Sequence, residues 1–89
     1  MEYQPLEPAT YRALTQIGLQ GEWQRLCQAV ESALTRDRHY PNECSARKVH
    51  QALLDLRQYV SDNPEAIHKR LVRLIDSDVQ MSLFVIVYR

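Results

Sequence analysis

Residues 22–34 have the sequence EWQRLCQAVESAL, in which apolar side chains recur at helical spacing. The other faces carry Gln24, Arg25, Gln28 and Glu31, so one face is apolar and the rest is largely polar. The pattern predicts an amphipathic helix that begins near Gly21 or Glu22. Its apolar stripe follows the spacing i, i+3, i+4, i+7 and i+11 and consists of Trp23, Leu26, Cys27, Val30 and Leu34.

A polar link and a second amphipathic stretch come next along the chain. The link, residues 36–42, ends in Pro41 and Asn42, a pair that typically interrupts helices. Asn42 is a suitable N-cap because its side-chain oxygen can accept a hydrogen bond from a first-turn amide. The helix predicted after it has an apolar stripe formed by Ala46, Val49, Leu53, Leu56 and Val60.

Residues 62–65, Asp-Asn-Pro-Glu, predict the end of that helix and the start of another. Proline fits the first helical position, and an acid beside it suits the positive end of the helix dipole. The residues expected to face inward are Ile67, Leu71, Leu74 and Ile75. Residues 76–78, Asp-Ser-Asp, are expected to end this helix.

Upstream of residue 22, Pro8 predicts the first turn of one more helix. Gly18 and Gly21 bracket the break that follows it. Its apolar positions are Tyr11, Leu14 and Ile17. The chain as a whole therefore predicts an all-α domain over residues 1–89, a compact bundle of about four helices that pack in sequence.

The apolar C-terminal segment, residues 78–89, has a different composition. From Val79 onward it is rich in β-branched and aromatic residues, which favour a strand. Read with a period of two, one face is wholly apolar and the other is half polar. The prediction is a short C-terminal strand or extended tail laid on the helices, and the alternative is a continuation of the preceding helix.

A lone strand would leave backbone hydrogen-bonding groups without partners, because no other convincing strand exists in the sequence. Two copies pairing antiparallel, or addition to another protein's sheet, would satisfy them. The competing interpretation is a tail or helix that only completes the core. The predicted protein interface comprises Leu83, Phe84, Val85, Ile86, Val87 and Tyr88.

A basic helix face is the second candidate site. With Leu71 and Leu74 facing inward, the three cations Lys69, Arg70 and Arg73 project outward together. Such a cluster can bind phosphates or an acidic protein surface. A few basic residues on a surface helix are usually only its solvated side. If the preceding helix lies alongside, the cluster is extended by Arg47, Lys48 and Arg57.

Catalytic and metal-binding chemistry has little support in the sequence. Cys44 lies near a helix start with His39 close by, but no third group is placed to orient them. The histidines and cysteines lack metal-ligand spacing, and no phosphate loop or nucleophile motif is present. We therefore predict no catalytic residue, no metal site and no cofactor.

Size and composition bound the remaining possibilities. The chain has 89 residues, 11 basic and 11 acidic side chains, and only two cysteines. The first residues lack the positive charge and apolar run of a secretory signal, and the longest apolar run, Leu83–Tyr88, is far shorter than a membrane span. These features predict a cytoplasmic protein that does not enter a membrane.

The predicted function is a small non-enzymatic protein-interaction module, such as an adaptor, a chaperone-like protein or an inhibitory, regulatory protein. Its expected partner is another protein, with a second copy of itself first, giving a homodimer. Tyr40 and Tyr88 are candidate contact anchors, whereas Trp23 is expected in the core. The alternative is a nucleic-acid-binding regulator that uses the basic helix face.

Overall fold

Residues 20–64 and 69–88, the part of the chain that the computed structural model describes, form three α-helices of twenty residues each. They are α1 (Gln20–His39), α2 (Glu43–Asp62) and α3 (Lys69–Tyr88). The all-helical prediction is confirmed for these residues. The helix predicted from Pro8, and Ile67 in the last predicted helix, lie outside the described residues.

The apolar stripe of residues 22–34 packs inward as predicted. Trp23, Cys27 and Val30 are buried, while Leu26 and Leu34 are half-buried against the same core. The described part of α1 begins at Gln20, close to the start predicted near Gly21 or Glu22. Gly18, the other residue of the predicted break, lies outside the described residues.

The start of α2 is fixed by a reciprocal cap. The side-chain oxygen of Asn42 accepts from the backbone N–H of Ser45 at 2.8 Å, and Ser45 Oγ accepts from the backbone N–H of Asn42 at 2.9 Å. The predicted N-cap is therefore confirmed, as a complete capping box. Ser45 Oγ also donates to the carboxylate of Asp37 at 2.6 Å, which ties this cap to the last turns of α1.

The predicted C-terminal strand is wrong: residues 79–88 are the second half of α3. The end expected at residues 76–78 is also wrong, because the helix continues through them. Asp78 and Val79 are both buried, and Ser82 Oγ donates to the carbonyl of Val79 at 2.8 Å within the same helix. Burial on one continuous helical face outweighs the weak strand preference of β-branched residues.

The three helices share one core in which α2 is central. α2 packs closely against both α1 and α3, whereas α1 and α3 approach each other less closely. Trp23 meets Tyr59 at one end of the α1–α2 pair and Asp37 meets Ser45 at the other, so these helices are antiparallel. The buried apolar side chains that form the shared cluster are Trp23, Cys27, Val30, Val49, Leu53, Leu56, Val60, Leu71, Ile75 and Val79.

Candidate interaction surface

The last two turns of α3 carry large apolar side chains that face solvent. We call Leu83, Phe84, Val87 and Tyr88 the apolar patch; their exposed fractions are 50%, 54%, 69% and 74%. Val85 and Ile86, the other two residues of the predicted interface, are half-buried. Residues 83–88 are therefore apolar all round the helix, a composition typical of helices that are covered on every side.

The first half of α3 differs, because its exposed side is mainly polar. Lys69, Arg70 and Arg73 face solvent there, as does Ser77, while Leu71 is fully buried. At about 100° per residue, the four side chains of the apolar patch span an arc of about 140°. Polar residues of the earlier turns occupy that same arc. The same outward-facing side of α3 is therefore mainly polar in its first half and apolar in its last two turns.

Two aromatic rings of the apolar patch already contact each other. The ring centroids of Phe84 and Tyr88 are 4.4 Å apart with an interplanar angle of 35°. Side chains four residues apart on a helix are neighbours, which explains the contact. Each ring limits the rotamers of the other, so part of the ordering cost of binding is already met in the free protein.

A groove lies between the outer edges of α2 and α3, along the first half of α3. It has a volume of about 880 Å³. Leu54 and Val72 contribute apolar lining, and the charged side chains around it are Asp55, Arg57, Lys69 and Asp76. Lys69, Val72 and Asp76 lie on one side of α3. Because Leu83 and Val87 follow Asp76 by seven and eleven residues, the groove edge of α3 continues directly into the apolar patch.

The predicted basic cluster is exposed but does not extend into a broad basic surface. Arg57 lines the same groove as Lys69, where Asp55 and Asp76 add two carboxylates. Arg47 lies in the first turns of α2, and its guanidinium is 2.9 Å from the carboxylate of Glu43. Positive charge along this face is thus interrupted by acids, which weakens its attraction for a polyphosphate chain.

A hydrogen bond that the sequence analysis missed joins α2 to α3. Nδ1 of His50 and Oγ of Ser82 are 2.7 Å apart. Because the hydroxyl proton of Ser82 goes to the Val79 carbonyl, Ser82 accepts from His50, which requires a proton on Nδ1. The available signal was helical spacing: Leu71, Ile75 and Ser82 share one face once the helix continues past Asp78.

This serine–histidine pair does not have the geometry of a nucleophile and its base. Ser82 is 2% exposed, so its hydroxyl is closed to a substrate. The hydroxyl proton also points to the helix backbone and away from the imidazole. A base must accept that proton for the serine to attack. The pair instead fixes the spacing of α2 and α3 just before the apolar patch begins.

The cysteines and potential metal ligands also have ordinary positions. Cys27 is buried in the core, as predicted, and Cys44 is exposed in the first turn of α2. Among residues 20–64 and 69–88, no group of three or more histidine, cysteine or acidic side chains is close enough to hold a metal ion. Surface electrostatics are local: a hydrogen bond from Arg25 lowers the pKa of Glu22, and Glu22 in turn raises the pKa of Arg25.

Comparison with known proteins gives no relative for this chain. No protein-family model, no curated protein and no solved structure matches it. Within the described residues, no helix combines the length and the apolar character needed to cross a bilayer.

Proposed function

We propose that this chain is a small non-enzymatic protein-interaction module, an adaptor or regulatory protein that acts through the apolar patch. The observation that supports the proposal is the helix end that is apolar on every side, with four large side chains at least half exposed. Exposed apolar patches of this kind on small proteins commonly mark binding sites. The first partner is a second copy of the chain, so the protein is a homodimer.

The size of the patch sets the expected strength of the interaction. Its four side chains expose roughly 400–500 Å² of surface per molecule, judged from the usual areas of aromatic and aliphatic side chains. Two copies would bury about 800–1,000 Å² through these residues alone, which is at or just below the lower limit for a specific interface. We therefore expect a dimer of micromolar affinity. We also place the protein in the cytoplasm, where Cys27 and Cys44 stay reduced.

The patch can be tested with a matched pair of variants. We expect the double substitution Val87→Gln and Tyr88→Gln to weaken dimerisation by about 100-fold or more, because each dimer loses four apolar contacts. Tyr40→Gln is the control, since Tyr40 and Tyr88 are equally exposed, at 74%, and Tyr40 lies in the α1–α2 link. Solution mass measured by sedimentation over a concentration series gives the dissociation constant, and far-UV circular dichroism checks that the helices persist.

Two results would contradict the proposal. The first is a wild-type protein that stays monomeric up to about 1 mM. The second is a dimer whose affinity the Tyr40 control weakens as much as the patch variant does. A monomer whose unfolding free energy falls in the patch variant would show that other residues of the same chain cover the patch.

A further inference from the structure

The face of α3 that borders the groove continues into the apolar patch as one straight stripe. Its residues recur every three or four positions and are exposed or half-buried throughout. At this spacing they lie on one side of the helix over about 27 Å. The stripe consists of Lys69, Val72, Asp76, Gln80, Leu83 and Val87.

We propose that two copies of the chain pair through this stripe with their α3 helices antiparallel, so that each groove receives Leu83 and Val87 of the other copy. The inference rests on the proposed function, and it adds the orientation, the register and the receiving surface. It commits to a second copy as the occupant of the groove. Three arguments support a second copy: the charges that would face each other, the pairing of apolar side chains along the stripe, and the surface area that would be buried.

Charge excludes the parallel arrangement. In a parallel pair Lys69 would face the partner's Lys69, and Asp76 would face the partner's Asp76, so like charges would meet twice. In the antiparallel pair, positions whose numbers sum to about 156 face each other. Lys69 then lies beside the last turn of the partner's α3, where the helix dipole is negative and carbonyls lack helical donors. Asp76 faces the partner's Gln80, whose amide can donate to the carboxylate.

The antiparallel register also pairs the apolar side chains. Val72 in the groove faces the partner's Leu83, and the aliphatic stem of Lys69 covers the partner's Val87. Arg73 and Phe84 lie on the same side of the stripe, and their numbers sum to 157. Arg73 therefore faces the ring of the partner's Phe84, as a cation over an aromatic face. Every charged residue of the stripe thus meets a polar, aromatic or aliphatic surface.

The area agrees with a stable but modest dimer. The six stripe residues together with Arg73 and Phe84 can bury roughly 600 Å² per copy, judged from the usual areas of such side chains. The total then passes the roughly 1,000 Å² that a specific interface needs. A two-fold axis between positions 76 and 80 closes the pair, so the contact forms a dimer and not a filament.

Disulfide trapping between two different variants tests the orientation. Lys69→Cys carrying an affinity tag and untagged Val87→Cys are mixed in a Cys44→Ser background and oxidised gently. The antiparallel pair predicts a product of mixed mass, tagged plus untagged, several-fold in excess of either homodimer. Ser77→Cys mixed with Val87→Cys is the control and should give no such excess, because position 77 lies off the stripe by about 100°.

The outcomes separate this inference from the proposed function. Predominant Val87→Cys homodimers would mean a parallel pair and would overturn the inference. A protein that is dimeric by sedimentation but yields no mixed product would overturn it too, while the interaction function stands. A protein that is monomeric by sedimentation before any cysteine is introduced would remove the proposed self-association and this inference together.

Discussion

α2 and α3 have equal lengths and pack against each other, but they end in different ways. α2 finishes with exposed Ser61 and Asp62, and the side-chain amide of Asn63 donates to the carbonyl of Tyr59 at 2.9 Å. α3 finishes with the apolar patch. The end of α2 is complete within its own chain, whereas the end of α3 presents side chains that gain free energy only when something covers them. This difference is the reason for assigning the proposed interaction to the end of α3.

The largest expected effect comes from comparing one leucine-to-alanine substitution in α2 with one in the apolar patch of α3. Leu53, in the middle of α2, is fully buried, so Leu53→Ala is expected to lower the free energy of unfolding by about 2–5 kcal/mol. Leu83→Ala should change that free energy by less than about 0.5 kcal/mol in the monomer, because Leu83 is half exposed. Urea unfolding followed by circular dichroism at low concentration measures both.

For dimer affinity the order of the two variants should be reversed, with Leu83→Ala having the larger effect. At high protein concentration Leu83→Ala is expected to weaken the dimer about tenfold. The distinction between the two helices would be lost if Leu83→Ala destabilised the monomer as much as Leu53→Ala does. Leu83 would then belong to the core of its own chain.

A smaller effect is expected where α2 begins. Asn42→Ala removes the acceptor for the backbone N–H of Ser45 and should cost about 1 kcal/mol of stability. Asn42→Asp keeps the acceptor and serves as the control. Dimer affinity should be unchanged in both variants, since Asn42 belongs neither to the groove nor to the apolar patch. Urea midpoints, together with sedimentation, check both expectations.

The smallest effect concerns the hydrogen bond between the two helices. Ser82→Ala removes the acceptor of the His50 Nδ1–H and should lower the unfolding free energy by about 0.5–1.5 kcal/mol. A double-mutant cycle with His50→Ala isolates the pair, and a coupling free energy near 0.5–1 kcal/mol is expected. Zero coupling would mean that α3 is held at this point by packing alone.

The sequence alone predicts α2 correctly, but it does not predict that the second half of α3 is helical. The cap at Asn42 and the stripe through Leu53 depend on local spacing, which the sequence displays directly. Whether residues 76–88 form a helix or a strand depends on α2, because Val79 and Ser82 become buried only when α3 lies against α2. Helix and strand preferences differ by well under 1 kcal/mol per residue, so that packing decides the outcome.

The candidate site was predicted by composition and corrected in its geometry. Four of the six residues of the predicted interface are exposed in the structure: Leu83, Phe84, Val87 and Tyr88. The expected reason, unpaired strand backbone, is wrong, since α3 satisfies its backbone internally except at its last turn. The groove was not predicted, because it joins side chains from two helices that are far apart in the sequence.

Trp23 gives the molecule a built-in optical reporter. It is the single tryptophan, and its indole is buried 5.9 Å from the ring of Tyr59, at the end of α2 remote from the apolar patch. Its emission should shift to longer wavelength when α1 and α2 separate. The same emission should be insensitive to dilution, because Trp23 is only 1% exposed and belongs to α1, whereas the proposed pairing uses α3 and the groove beside it. Fluorescence therefore reads unfolding separately from association in an unlabelled sample.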